Sequence, residues 1–69
     1  MAQTLEFTVT GMTCDHCVRS VTNAARETPG VSDADVDLEA GRAVVKGEGI
    51  DPEAVIAAIR EEGYEASLN

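Results

Sequence analysis

The segment Gly11-Met12-Thr13-Cys14-Asp15-His16-Cys17 carries the side chains of this chain best suited to metal or thiol chemistry. Cys14 and Cys17 are the only two cysteines in 69 residues. A bridge between residues so close would remove little entropy from the unfolded chain, so a structural staple explains them poorly. Two are also too few for the framework of a disulfide-dense secreted miniprotein. Two soft thiolates on a short loop suit a soft ion that accepts few ligands, and copper(I) fits that description. A closed tetrahedral zinc site wants four ligands, and the chain offers two cysteines and a single histidine. Low coordination leaves the ion open to attack by another protein's thiolates, which is what a carrier needs. Cys14 is expected in the loop and Cys17 in the first turn of a helix, where the partial positive charge and free N–H donors favour thiolate over thiol.

The neighbouring residues have plainer readings. His16 is expected to face solvent at a helix start rather than fold back as a third ligand; a protonated imidazole there would lower the cysteine pKa values. Met12 is a thioether, but an apolar residue in a loop that must be pinned to the core reads as an anchor. Asp33, Asp35 and Asp37 alternate with Ala34 and Val36, so they line the wet side of a strand; the glycine and terminal glutamate of a calcium loop are absent. With His16 as the only histidine and every glycine at a turn, no Ser-His-Asp set and no phosphate-cradling loop can be assembled. A Cys-x-x-Cys pair also serves thiol–disulfide exchange. That alternative lacks the Trp-Cys-Gly-Pro-Cys context, since the chain has no Trp.

The elements that must position the pair follow from hydrophobic periodicity. Leu5, Phe7 and Val9 alternate with Glu6, Thr8 and Thr10, the period of a strand with one buried face. From about Asp15 the spacing turns helical, with Val18, Val21 and Ala25 on one face; Asp15 serves as N-cap or first-turn acid, and Pro29-Gly30 ends the helix. Residues 31 to 47 read as a hairpin: Ala34, Val36 and Leu38 alternate with acids, Ala40-Gly41 turns the chain, and Arg42 to Lys46 returns. Asp51-Pro52-Glu53 opens a second helix with a cap, a first-position proline and an early acid, and Val55, Ile56 and Ile59 form its apolar stripe. Gly63 stops it, and Tyr64 to Leu68 makes a closing strand. The order β-α-β-β-α-β predicts an α+β, ferredoxin-like sandwich, a four-stranded antiparallel sheet with both helices on one face. Val18, Val21, Val55 and Ile59 are expected to pack against that face.

Composition sets further bounds. Residues 1–69 are expected to form one domain, with 43% hydrophobic and 26% charged residues as in globular chains. No apolar run is long enough to span a bilayer, and the opening residues lack a signal-peptide pattern, which leads to the expectation of a cytoplasmic protein. The net charge of -8 repels nucleic acid and anionic lipid and favours a partner with a basic patch.

The Gly11 to Cys17 segment, placed after a strand and opening a helix, resembles the GMTCxxC motif of the heavy-metal-associated domain family. Pro29-Gly30-Val31 and Gly63-Tyr64 fall where that family has its "PGV" and "GY" segments, so the resemblance covers nearly the whole chain. It implies a ferredoxin-like metal carrier, not an enzyme, with Cys14 and Cys17 as ligands. Within the family, Thr13 resembles the copper branch, and Tyr64 resembles the tyrosine that bacterial or archaeal copper chaperones pack near the metal loop. The implied function is a copper(I) chaperone that begins at its own Met1 and delivers the ion to the metal-binding domain of a copper-transporting P-type ATPase. A copper-responsive regulator is the other implied partner. The chain would act as a monomer, with a copper-bridged dimer open to so shallow a site. An excised ATPase domain and a mercury(II)-binding protein are the alternatives inside the family.

Overall fold

The computed structural model describes residues 2–69. Six elements follow in order: β1 (Gln3–Thr10), α1 (Asp15–Glu27), β2 (Val31–Asp37), β3 (Arg42–Gly47), α2 (Pro52–Glu61) and β4 (Glu65–Leu68). The four strands form one antiparallel sheet in the order β2-β3-β1-β4. The ferredoxin-like expectation is met.

Alternation decides which side of the sheet is covered. Phe7 and Val9 on β1 and Ala43 and Val45 on β3 point to the same side and are nearly inaccessible to water. Val21 and Ala25 from α1 and Val55 and Ile59 from α2 close over them in one cluster. Val18, expected in that core, is only half-buried. It lies about one turn nearer the cysteines than Val21. The opposite side of the sheet carries Glu6, Thr8, Asp33, Asp35, Arg42 and Lys46, all exposed, with Asp33 facing Lys46 and Asp37 facing Arg42 across neighbouring strands. Opposite charges in those pairs support the register.

Local chemistry sets the element ends. Asp51 caps α2 by accepting a hydrogen bond from the Glu53 amide at 3.0 Å, with Pro52 in the first turn. Thr28 ends α1 in an extended conformation, as a residue preceding proline must, and its buried hydroxyl donates to the Ala24 carbonyl. Strand β2 stops at Asp37, so Leu38 lies in the turn rather than on the strand as expected. Asp37 itself ends it, its carboxylate accepting from the amides of Glu39 and Ala40. The closing strand starts at Glu65, leaving Tyr64 in the loop before it.

One close approach was invisible in the sequence. A Cβ on Gly47 would run into the carbonyl oxygen of Gly30, at the bulge where β2 enters the sheet. Gly47 is therefore required by space rather than by its dihedral angles.

Candidate metal centre

The loop after β1 must reverse the chain while keeping hold of the core. Gly11 turns it at φ +98°, a value that L side chains rarely adopt. Met12 packs against the hydrophobic core, the anchoring role expected of it. Thr13 and Cys14 follow, exposed.

Cys14 is the N-cap of α1, and its carbonyl accepts from the amides of Cys17 and Val18 at 3.0 and 3.3 Å. Its side chain makes no capping bond. Ser, Thr, Asp or Asn at this position would stabilise the helix by about 1 kcal/mol. The chain forgoes that and presents a free thiol instead, with Asp15 in the first turn as the acid that complements the helix dipole. One turn on, Cys17 brings its sulfur to 3.6 Å from that of Cys14. Both are free cysteines, Cys14 exposed and Cys17 half-buried.

The two sulfurs have different surroundings. The Cys17 thiol is lowered from its ordinary value of 9.0 to about 6. The backbone N–H of Thr13 contributes most, followed by the Tyr64 hydroxyl and then the Thr13 hydroxyl, whose oxygen lies 3.8 Å from the sulfur. Burial opposes these effects without cancelling them. At neutral pH Cys17 is therefore mostly thiolate. Cys17 lies in the first turn of α1, as the sequence suggested, and its hydrogen-bond donors come from the loop and from a residue near the other end of the chain. The hydrogen bond to Cys17 in turn raises the Tyr64 phenol above its ordinary value. Tyr64 is half-buried against the core, with its ring edge 3.4 Å from where a Cβ on Gly11 would stand. The ring therefore forms one wall of the cysteine loop.

His16 is exposed, as expected. Among the described residues, no cluster of three His, Cys, Asp or Glu side chains stands close enough to hold a metal. The donor set is thus a pair of thiols at the protein surface. A soft, low-coordinate ion fits two such sulfurs, and a hard cation that seeks six or more oxygens does not.

A surface dithiol on a ferredoxin-like frame, with no third protein ligand among the described residues, defines a small metal-binding module. The family profile described as Heavy-metal-associated domain matches residues 6–65. The chain belongs to the heavy-metal-associated domain family. It is 38% identical over 65 residues to the copper chaperone CopZ of Enterococcus hirae, a match that covers 91% of this chain and 94% of that one. It is 44% identical over 61 residues to copper-transporting ATPase 1 of Rhizobium meliloti, covering 87% of this chain but only 7% of the ATPase. Oxidised MerP from Ralstonia metallidurans superposes with a TM-score of 0.92 at 32% identity, with coverage of 100% and 99% of the two chains. Among the described residues, no helix is long and apolar enough to cross a membrane.

Proposed function

We propose that this protein is a cytoplasmic copper(I) chaperone that holds the ion between the Cys14 and Cys17 thiolates and passes it by ligand exchange to a copper-transporting P-type ATPase. The observation that carries this reading is the pair of free sulfurs 3.6 Å apart on a surface loop, with no third ligand beside them among the described residues. The CopZ likeness over nearly the full length of both chains supports copper as the cargo, and the ATPase likeness supports the partner, whose metal-binding domain is of the same family. The single-domain organisation of residues 1–69 belongs to the same reading, as does a copper-responsive regulator as a second recipient.

Exchange follows from the exposure and low coordination of the pair. The exposed Cys14 sulfur lies 3.6 Å from that of Cys17, and Cys17 is also held by Thr13 and Tyr64. An incoming partner thiolate adds to the bound ion as a third ligand, one thiolate of this chain departs, and the other releases as the partner's second thiolate takes its place. No free ion forms. The open side of the loop also leaves room for two copies to share copper through four cysteines.

Mercury(II) binding is the second reading, and the MerP likeness favours it. Two thiolates suit both ions, so the distinction needs a measurement. A competitive titration of the reduced protein, without oxygen, with copper(I), zinc(II) and mercury(II) makes it, alongside Cys14→Ser and Cys17→Ser variants. Tight one-to-one copper(I) binding, lost in either variant and far stronger than zinc, is expected. Weak copper(I) binding with facile dithiol–disulfide cycling would overturn the carrier reading in favour of thiol exchange.

A further inference from the structure

We infer that Ser20 is a positioning residue of the metal centre: its hydroxyl holds the Tyr64 phenol where that phenol donates to the Cys17 sulfur. Helical spacing brings the parts together. Cys17 and Ser20 stand three residues apart on α1, which makes them neighbours on one face of the helix, and both are half-buried. Tyr64 meets that face from near the other end of the chain. Gly63 turns at φ +96° just before it, and the ring lines the cysteine loop beside Gly11. The Tyr64 hydroxyl has Cys17 and Ser20 as its side-chain hydrogen-bond partners, both from α1. The other hydroxyls of this helix make the contrast. Thr22 donates to the Val18 carbonyl at 2.7 Å, and Thr28 at the helix end donates to the Ala24 carbonyl at 3.1 Å. Such bonds to the preceding turn are a common outlet for a hydroxyl in a helix. Ser20 is given to the phenol instead.

The polarity of the two bonds is consistent with a chain. Ser20 favours ionisation of the phenol, whereas Cys17 opposes it. A donor to the phenol oxygen does the first, and an acceptor of the phenol proton does the second. The Ser20 O–H therefore donates to the Tyr64 oxygen, and the Tyr64 O–H donates to the sulfur. Each bond in such a chain polarises the next. The groups that act directly on Cys17 are Thr13, Tyr64 and Cys14, so the influence of Ser20 passes through the phenol. Without the Ser20 hydroxyl the ring stays packed against the core, but its tip loses the bond that fixes it and is free to turn from the sulfur to water.

The purpose of this arrangement rests on the carrier reading, but the arrangement itself is tested without metal. Tyr64 is the only tyrosine and the chain has no tryptophan, so its fluorescence is read alone. A phenol that donates to a thiolate loses emission by excited-state proton transfer. In the reduced, metal-free full chain at neutral pH, Cys17→Ser gives the emission without that acceptor. Ser20→Ala should raise the emission toward the Cys17→Ser value, and Ser20→Thr, which keeps a hydroxyl, should return it toward that of the unaltered chain. Thr22→Ala removes a hydroxyl from the same helix and should leave it unchanged. Copper(I) retention in a chelator competition is the second reading. Ser20→Ala and Tyr64→Phe should each weaken it about threefold, the scale of one neutral hydrogen bond, and the double variant should be no weaker than Tyr64→Phe alone. Unchanged emission in Ser20→Ala, an equal rise in Thr22→Ala, no recovery in Ser20→Thr, or copper(I) losses that multiply in the double variant would each overturn the inference. Failure of the unaltered chain to hold copper(I) would sink the carrier reading and leave the fluorescence test intact. Far-UV circular dichroism of each variant checks that the fold is retained.

Discussion

Cys17 is a thiolate at neutral pH because two loop donors and a distant phenol aim at one sulfur. Its reactivity should follow. In a Cys14→Ser background, iodoacetamide should alkylate Cys17 with a half-maximal rate near pH 6, and Tyr64→Phe should move that midpoint upward by removing a donor. An unchanged midpoint in Tyr64→Phe would mean the hydroxyl does not reach the sulfur in solution. The linkage has a definite sign. The folded chain holds the Cys17 proton less tightly than the unfolded one, so this group adds stability that is complete above 9.0, shrinks between, and is lost as pH falls through about 6. Metal retention should weaken in the same direction, since protons then compete for the sulfur. His16, exposed beside the pair, should matter little: His16→Ala is expected to leave copper(I) retention within about threefold in a chelator competition.

At the scale of elements, the joins are more sensitive than the middles. Gly47→Ala places a methyl against the Gly30 carbonyl, where β2 and β3 meet, and backbone cannot give way as a side chain can. Urea unfolding should show a loss of about 1–3 kcal/mol, the range for forcing atoms into filled space. Asp51→Ala removes the side-chain cap that accepts from the Glu53 amide at the start of α2 and should cost about 1 kcal/mol in the same assay. The contrast with α1 is informative. There the cap position is given to Cys14, which contributes no capping bond, so the metal loop is held by Met12 and Tyr64 packing rather than by the helix end.

The whole molecule is small enough that single core contacts are a large share of its stability. At about 0.05–0.15 kcal/mol per residue, a chain of this length has roughly 3–10 kcal/mol to lose. Ile59→Ala, at a fully buried position, is expected to remove about 2–5 kcal/mol, and calorimetry should show a much lower or absent unfolding transition. Net charge also acts at this scale. With -8 to neutralise, encounter with a basic partner surface is steered at low salt and screened at high salt. Copper(I) transfer to a copper-ATPase metal-binding domain should slow as salt rises; a stopped-flow rate indifferent to salt would remove the steering role.

The amino-acid sequence by itself determined the six elements, their order, and the Cys14–Cys17 pair. Alternation in β1, helical spacing in α1 and α2, and the cap at Asp51 are local signals, each readable within a few residues. The motif was legible for the same reason, since both sulfurs lie within one helical turn. Only the tertiary structure decided what surrounds them. Tyr64 reaches Cys17 because β4 pairs with β1, which brings the loop before β4 beside the loop after β1. Gly30 meets Gly47 because β2 pairs with β3. These contacts join residues far apart in the chain, and neither partner carries a local signal of the other. Periodicity tells a side chain which way to face; packing alone determines what it meets there.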